Sequence, residues 1–207
     1  MPSLAQPQPV ARLSPEEYLA FERASDTRHE YVNGEVYAMG GASLRHATIV
    51  SNIAGSLSAQ LRGGPCRVLV TDMRVKVSRA GDYVYPDVVA VCGVPALEDS
   101  QFDTLLNPVL IVEVLSPSTK NYDRGEKWEK YRQIASLRDY IVVAQDRVHV
   151  ERYTRQGEGF WLLSEPSESS ATLQLDSLGC TLALRDVYEN AFDTPAEMGT
   201  PTETDHG

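Results

Sequence analysis

The residues that most constrain the fold of this chain are Asn107 to Leu115, a run that is almost entirely β-branched or apolar from Val109 onward. Such a run is typical of a strand buried on both faces of a sheet, which requires further layers on either side. One member of the run is Glu113, and an ionised carboxylate in a buried strand is costly unless it is paired, hydrogen-bonded or bound to a metal. The run therefore predicts a layered fold and a partner that compensates Glu113.

Helices are predicted before and after this strand in the sequence. Residues Ser14 to Glu17 have the cap, first-turn proline and third-position glutamate of a capping box, so a short helix begins there. From His46 to Leu61 apolar residues recur every three or four positions, which predicts a second helix that ends near Gly63 and Gly64. A second capping box, Asp123 to Glu126, opens a third helix.

The remaining patterns predict strands. Asn33-Gly34 lies between two β-prone runs and is a strong hairpin signal. The side chains alternate between apolar and charged from Arg67 to Val77, which predicts one strand. Residues Asp82 to Cys92 predict another strand, in which Pro86 marks an edge, a bulge or a start. With two closing strands, at Asp139–Ala144 and from Val148, the order predicts an α/β or α+β sandwich, a mixed sheet flanked by helices.

Length and composition favour one domain. The 207 residues, 42% of them apolar, can bury one substantial core, which we assign to residues 13–190. Residues 1–12 are rich in Pro and Gln and residues 191–207 have few large apolar groups, so we expect flexible ends. No apolar run approaches a membrane span, and the N-terminus lacks the order of a signal peptide, so the expected location is the cytoplasm.

Cysteine and histidine spacing does not indicate zinc. The three cysteines are far apart and form no Cys-x-x-Cys pair, so neither a disulfide framework nor a zinc knuckle is predicted. We interpret them as small buried apolar residues; they are Cys66, Cys92 and Cys180. The histidines also miss the zinc-protease spacings.

The negative charge is concentrated near the C-terminus. The net charge is −10, but residues 1–157 hold 19 acidic and 18 basic residues, whereas residues 158–207 hold 10 acidic and one basic. A nearly neutral body permits local basic patches without showing one, so composition is mild evidence against tight nonspecific DNA binding.

Three carboxylates on successive predicted strands are candidate metal ligands. Asp72, Asp87 and Glu113 would repel one another if brought together without a cation, and an oxygen-only ligand set selects Mg²⁺ or Mn²⁺. Each has another explanation: Glu113 can pair with a buried arginine, Asp87 can cap a turn beside Pro86, and Asp72 can pair with Arg74. The Pro-Asp followed by a strand glutamate is harder to assign to chance.

Further acidic and histidine residues are candidates for a supporting role. Glu30 and Glu35 flank the predicted Asn-Gly turn, and the strand register, which the sequence does not fix, decides which of them faces the metal. We prefer Glu35. His46 lies on an apolar helix face, where a satisfied core histidine is the commoner case, so it is given a supporting role at most. Aromatic residues at helical and strand spacing are assigned to the core.

These patterns together resemble the PD-(D/E)XK nuclease superfamily, and within it the restriction-endonuclease-like group called Uma-two. The resemblance covers most of the chain. The matching runs are His29 to Glu35, the helix with His46, Thr71 to Val75, Tyr85 to Val88, Ile111 to Ser118 and Asp123 to Lys127.

The resemblance implies a restriction-endonuclease-like fold and a metal held by Asp87, Glu113 and the backbone carbonyl of Val114. Asp72 and Glu35 would support the cluster or hold a second ion. The superfamily's lysine normally stands two residues after the glutamate, but this sequence has Leu115 there. Related families can supply the ammonium from the following helix, and Lys127 is similarly placed.

The sequence thus predicts a Mg²⁺- or Mn²⁺-dependent endonuclease that hydrolyses DNA, with Lys127 as the relocated ammonium. The alternative is a non-catalytic nucleic-acid or protein-binding module that retains the fold, for which Leu115 marks the lost activity. A homodimer is expected by analogy, because a duplex has two strands to cut.

Overall fold

The structure, a computed structural model, describes residues 9–70, 72–77, 81–116, 123–157 and 159–193. Its helices are α1 (Pro15–Ala24), α2 (Leu44–Leu61), α3 (Trp128–Tyr131) and α4 (Leu184–Val187), and a π-helical turn, Asp123–Lys127, leads into α3. Its strands are β1 (Ala11–Arg12), β2 (His29–Val32), β3 (Glu35–Ala38), β4 (Cys66–Val70), β5 (Arg74–Lys76), β6 (Tyr83–Val84), β7 (Val88–Cys92), β8 (Thr104–Leu105), β9 (Leu110–Leu115), β10 (Asp139–Ala144), β11 (Val150–Gly157), β12 (Phe160–Ser164), β13 (Thr172–Leu175) and β14 (Cys180–Ala183).

The first predicted helix and its capping box are confirmed. The Ser14 hydroxyl accepts the Glu17 N–H at 3.3 Å, and the Glu17 carboxylate accepts the Ser14 N–H at 2.8 Å. The two bonds satisfy backbone donors that the first turn of a helix otherwise leaves unpaired. Tyr18 from this helix is fully buried against the first sheet.

The second predicted helix is confirmed along its length. In α2 the residues that recur every three or four positions form the buried face: Ile49, Val50, Ile53, Leu57 and Leu61. They pack on one face of the sheet that contains β9. The helix ends at Leu61, and Gly63 follows with a φ of 78°, a conformation that glycine adopts without strain.

Within the described residues the strands form two mixed six-stranded sheets and one hairpin. The first sheet has the order β1-β3-β2-β6-β5-β8, the second has the order β12-β11-β10-β9-β7-β4, and β13 pairs with β14. Only β5 with β8 and β9 with β10 run parallel among these pairs. The predicted class, a mixed α/β (α+β) fold, is confirmed, although one sheet was expected and two are present.

Two predicted long strands are each divided between the two sheets. The predicted strand from Arg67 to Val77 is β4 in the second sheet followed by β5 in the first, and Asp72 between them has a φ of 56°. The predicted strand from Asp82 to Cys92 is β6 in the first sheet followed by β7 in the second, with Pro86 at the break. A left-handed residue and a proline each interrupt a ladder, so the chain changes sheets at those points.

The buried strand predicted around Glu113 is confirmed as β9, all of whose residues are buried. Val112 and Val114 face the α2 side of the second sheet. Ile111 and Leu115 face the other side, where the first sheet packs. Because side chains alternate along a strand, Glu113 faces the space between the two sheets.

The prediction for the cysteines is wrong for two of the three. Cys66 of β4 and Cys92 of β7 are cross-strand partners and form a disulfide. Cys180 is buried and free, as predicted. Their 26-residue separation hid the pairing, since only the antiparallel register brings the two positions together.

Ordered structure extends beyond the predicted domain boundaries at both ends. Ala11 and Arg12 pair with β3, and Ala191 is buried. The rest of the two predicted flexible ends lies largely outside the described residues, so the boundary between domain and tails stays a prediction. Strands β12, β13 and β14 were not predicted individually. No described helix has both the length and the apolar character to cross a membrane.

Candidate active site

Glu113 is compensated by two donors from the segment that follows β9. Lys127 Nζ lies 3.1 Å from Glu113 Oε1, and the Tyr131 hydroxyl donates to the same oxygen at 2.6 Å. Glu113 itself is only 4% exposed. The sequence predicted a compensating group, and the described partners are a lysine and a tyrosine, where the alternative proposed an arginine.

Lys127 is buried between two carboxylates. Its Nζ is 3.0 Å from Glu30 Oε1 as well as 3.1 Å from Glu113 Oε1, and the residue is only 6% exposed. Lys127 ends the π-helical turn and Tyr131 ends α3, four positions later, so both side chains lie on the same helical face. We call Glu30, Glu113, Lys127 and Tyr131 the lysine cluster.

Glu30 reaches this cluster because the two sheets pack face to face. In β2, Glu30 and Val32 share one strand face, and Val32 belongs to the core between the sheets. The Glu30 carboxylate also accepts the Tyr85 N–H at 3.3 Å, at the point where the chain leaves the first sheet. Glu30 therefore joins the first sheet to the strand that carries Glu113.

Asp87 lies beside the same strand, directly before β7. Its Oδ2 accepts the Val114 N–H at 2.7 Å, so the carboxylate occupies a place that a ladder partner would otherwise fill. His46 Nε2 lies 3.2 Å from the same oxygen. His46 stands in the first turn of α2, which Ser43 caps, so Asp87 is held from the helix layer and from the strand.

Comparison with known proteins identifies the family. Residues 15–185 match the sequence model of the Uma2 family, described as "Putative restriction endonuclease". This chain belongs to the Uma2 family. The resemblance drawn from its motifs is confirmed.

The Uma2 protein also has relatives and a structural neighbour. "Uncharacterized protein slr1290" of Synechocystis sp. is 37% identical over 180 residues, which cover 87% of this chain and 93% of the relative. "Uncharacterized protein sll1609" of the same organism is 32% identical over 162 residues, with 78% and 92% covered. The crystal structure of a "putative nuclease belonging to DUF820" from Anabaena variabilis matches with a TM-score of 0.72 at 14% identity, covering 86% of this chain and 99% of that one. The restriction-endonuclease-like fold is thus confirmed.

Of the two hairpin glutamates, Glu30 lies at the lysine cluster, and the preferred Glu35 lies elsewhere. The hairpin pairs Val32 with Glu35 and Glu30 with Tyr37, so all four face the same side, but Glu35 stands at the turn end. Its carboxylate is ion-paired with Arg12 and accepts the Tyr37 hydroxyl at 2.5 Å. That hydrogen bond raises the pKa of Tyr37.

Asp72, predicted to support the metal ligands, lies away from the lysine cluster. Its side chain is 67% exposed and pairs with Arg28 at 2.9 Å. Asp72 has a positive φ and lies where the chain leaves the second sheet. Its side chain lines a separate charged cleft. We call the residues that line this cleft the arginine cluster: Glu22, Arg23, Arg28, Asp72, Arg74, Tyr85 and Asp103.

The carboxylate and carbonyl oxygens around Val114 are ligands of the type that a divalent cation such as Mg²⁺ binds. Asp87 contacts the peptide of Val114, the residue next to Glu113, so two carboxylates and the Val114 carbonyl belong to one short stretch of the fold. Among the described residues, Asp87 and Glu113 belong to no group of three metal-ligand side chains whose ligand atoms all lie within 4.8 Å of one another. The structure therefore does not bring together the three carboxylates of the predicted cluster.

The described residues contain one other group that could hold a metal. The nearest oxygens of Glu151 and Glu165 lie 3.6 and 3.9 Å from His149 Nε2. Glu165 is about half exposed, and hydrogen bonds from the imidazole to carboxylates account for the arrangement without a metal. Through its pairing with β10, Glu151 is two strands from Glu113, so this group is separate from the predicted metal ligands.

Tyr131 is the cluster member that the sequence interpretation missed, because aromatic residues at helical spacing were assigned to the core. That assignment is correct for the ring, which is fully buried. The hydroxyl, however, bonds Glu113. Its position four residues after Lys127 was the available signal, since residues at that spacing share a helical face.

Proposed function

We propose that this Uma2 protein is a Mg²⁺- or Mn²⁺-dependent endonuclease that hydrolyses phosphodiester bonds of DNA. The observation that carries the proposal is the burial of Lys127 between Glu30 and Glu113, at 3.0 and 3.1 Å. A buried lysine that contacts the strand glutamate is the arrangement expected when the nuclease lysine comes from the following helix. It supports Lys127 as the ammonium group that Leu115, at the usual lysine position, cannot supply.

Asp87, Glu113 and the backbone carbonyl of Val114 would hold the ion. Hard oxygen donors of this kind suit Mg²⁺ or Mn²⁺. When bound, a divalent ion neutralises negative charge that develops on phosphate oxygens and makes water a better nucleophile. His46 and the Val114 N–H would keep the Asp87 carboxylate oriented through Oδ2, at 3.2 and 2.7 Å.

Lys127 would contribute a cation that the chain itself supplies. Its ammonium can donate to a phosphate oxygen while Glu30 retains it, because Lys127 has three donor hydrogens. A preorganised donor aimed at a position where charge develops typically changes the rate by about 10²- to 10³-fold. Glu30 would act as a positioning residue for Lys127.

Two parts of the proposal concern partners. The phosphodiester would come from DNA, as in other enzymes of the restriction-endonuclease-like class. Because a duplex has two strands, two copies of the site would be needed for a double-strand cut, and we propose a homodimer for that reason.

One observation favours the second candidate, a non-catalytic binding module. The Glu113 charge is already compensated by Lys127 and by the Tyr131 hydroxyl, so the burial of Glu113 does not by itself demand a metal. In such a module the lysine cluster would serve stability alone.

Plasmid cleavage separates the two candidates. Purified protein is incubated with supercoiled plasmid and Mg²⁺ or Mn²⁺, and nicked and linear products are followed over time. We expect cleavage by the wild type, and at least a 100-fold loss, roughly, in both Glu113→Gln and Lys127→Ala. Lys76→Ala is the matched control, because Lys76 is a half-buried lysine that pairs with Glu98 in the first sheet.

Cleavage that survives in both site variants would refute the assigned site. A wild type that binds Mn²⁺ in calorimetry and leaves plasmid intact with both metals would favour the binding module. If Lys76→Ala lost activity to the same extent as Lys127→Ala, the loss would reflect a general effect on the folded protein. The catalytic role of Lys127 would then be rejected.

A further inference from the structure

The hydroxyl of Tyr131 is placed to control the direction of the Glu113 carboxylate. We propose that Tyr131 is a positioning residue for the metal site: together with Lys127 it holds Oε1 of Glu113 and so fixes how the carboxylate faces the ion. This inference rests on the proposed function, because it concerns the same Glu113, and it adds a residue that the motifs of the sequence did not include.

The contact has the geometry of a strong hydrogen bond. The Tyr131 hydroxyl donates to Glu113 Oε1 at 2.6 Å, and the residue is fully buried. Bonds from a hydroxyl to a carboxylate fall at about 2.5–2.7 Å when the acceptor is ionised. Lys127 reaches the same oxygen at 3.1 Å, so two donors converge on one atom from one helical face.

Aromatic packing prevents the ring of Tyr131 from turning away. The ring lies 5.1 Å from that of Tyr140 on β10, tilted by 49°, within the core between the sheets. Trp128, three residues before Tyr131, stacks on Tyr140 with its ring 5.5 Å away, so Tyr140 is itself held in place. A fully buried ring packed against Tyr140 keeps its hydroxyl directed at Glu113.

The hydroxyl also stays protonated. Burial raises the pKa of Tyr131 well above its ordinary value, and the neighbouring Glu113 charge raises it further.

Two donors on Oε1 restrict the rotation of the carboxylate about its terminal bond. Hydrogen-bond partners of a metal ligand orient it, and their removal typically lowers metal affinity or activity by roughly 10- to 100-fold. Tyr131→Phe removes the hydroxyl and keeps the ring, so it tests orientation with little change in packing.

The test is Mn²⁺ titration calorimetry on the full chain without nucleic acid. We expect Tyr131→Phe to bind Mn²⁺ about 10-fold more weakly than the wild type. The matched control is Tyr188→Phe, which removes another buried hydroxyl, one that bonds the carbonyls of Ala144 and His149 in the other core. Tyr188→Phe is expected to lower the thermal midpoint and to leave the Mn²⁺ affinity within 2-fold.

A second comparison tests whether the Tyr131 hydroxyl acts through Glu113. In a Glu113→Gln background, adding Tyr131→Phe should change the Mn²⁺ affinity less than 2-fold, because the hydroxyl acts through Glu113. A further 10-fold loss in that background would mean that Tyr131 acts elsewhere, and it would overturn the inference.

The outcomes distinguish this inference from the proposed function. Equal Mn²⁺ affinity in Tyr131→Phe and wild type, with a loss in Glu113→Gln, overturns the positioning by Tyr131 and leaves the nuclease proposal standing. A wild type that binds no Mn²⁺, or that binds it as well as Glu113→Gln does, removes the metal site, and both proposals fall together.

Discussion

Two buried groups of charges in this molecule are built from similar residues and differ in balance. The arginine cluster lies between α1 and the first sheet, where Arg74 is 2% exposed and bonds Thr104 and Tyr85. The lysine cluster lies between the two sheets, around Glu113. Both contain a buried cation held by carboxylates, so burial of charge alone does not tell which one performs chemistry.

The arginine cluster is balanced in charge. Three arginines and three acids line its cleft, and Arg74 pairs with Asp103 at 2.9 Å. An arginine does not lose its proton in proteins, and its planar fork satisfies several acceptors at once. Glu22 accepts the Tyr85 hydroxyl at 2.9 Å and the His29 ring at 3.0 Å, so its oxygens serve to fasten α1 to the sheet.

The lysine cluster has the opposite character. Its described members place two carboxylates against one ammonium, and the Asp87 carboxylate accepts the N–H of Val114, the residue after Glu113. An excess of carboxylates attracts a cation, whereas a set with equal numbers of positive and negative charges has no net attraction for one. The difference teaches that the sign of the local charge, more than the presence of buried charge, indicates where a metal would bind.

The largest expected contrast is between two buried glutamates, Glu113 and Glu22. Glu113→Gln should reduce metal-dependent cleavage by at least about 100-fold, because it removes a proposed metal ligand and not only a group that supports one. Glu22→Gln should lower the free energy of unfolding by about 2 kcal/mol and leave the rate of the folded protein within 3-fold. Urea denaturation and plasmid cleavage measure the two effects, and a Glu22→Gln protein that is stable but inactive would break the distinction.

Arg74 should affect stability alone. Arg74→Met leaves buried hydrogen-bond acceptors without their donor, so we expect a loss of about 3 kcal/mol in the free energy of unfolding. Urea denaturation measures this loss, and plasmid cleavage per folded molecule should stay within 3-fold of the wild type. An Arg74→Met protein as stable as the wild type would contradict the structural role of the arginine cluster.

The two histidine–carboxylate contacts sharpen the comparison with a smaller effect. His46 contacts Asp87 at 3.2 Å and His29 contacts Glu22 at 3.0 Å, so His46→Gln and His29→Gln are matched changes. We expect His46→Gln to lower cleavage about 10-fold through Asp87. His29→Gln should instead cost about 1 kcal/mol of stability and spare the rate. Equal losses of rate in the two variants would contradict the assignment of His46.

The smallest expected effect is a pH dependence of the arginine cluster. The hydrogen bond from Arg23 holds the pKa of Asp103 well below its ordinary value, and Arg74 adds to this. A carboxyl whose folded pKa is lowered stabilises the protein above its unfolded pKa and loses that contribution as the pH falls towards the folded pKa.

Unfolding free energies at pH 6 and pH 3 test this dependence. The wild type should lose more stability over this interval than Asp103→Asn does, by about 1 kcal/mol once the partial exposure of Asp103 is taken into account. An equal slope in the two proteins would show that Asp103 is not the group that titrates.

Several elements were predictable because their signals are local. The capping box at Ser14, the apolar face of α2, the Asn33-Gly34 turn and the buried strand around Glu113 depend on neighbours within a few positions. The two divided strands were not predictable in this way. Alternation continues through Asp72 and Pro86 as it would in one strand, and only pairing partners distant in sequence decide which sheet each half joins.

The residue types at the candidate site were predictable, and their grouping was only partly so. Glu113, Asp87 and Lys127 were proposed from a buried carboxylate, a Pro-Asp and a family resemblance. Glu30 and Glu35 share one face of the hairpin, so alternation could not rank them. The distance to Lys127 ranks them, and that distance depends on how the two sheets pack.

By itself, the sequence determined that a carboxylate would be buried in a central strand, and that something would have to compensate it. It determined this because the apolar character of neighbouring side chains is a local property. The tertiary structure alone decided which residues supply the compensation, since Lys127 and Tyr131 approach Glu113 from the following helical segment. It alone brought Glu30 from the other sheet to Lys127. Contacts between distant segments depend on sheet packing and register, which no short stretch of the chain encodes.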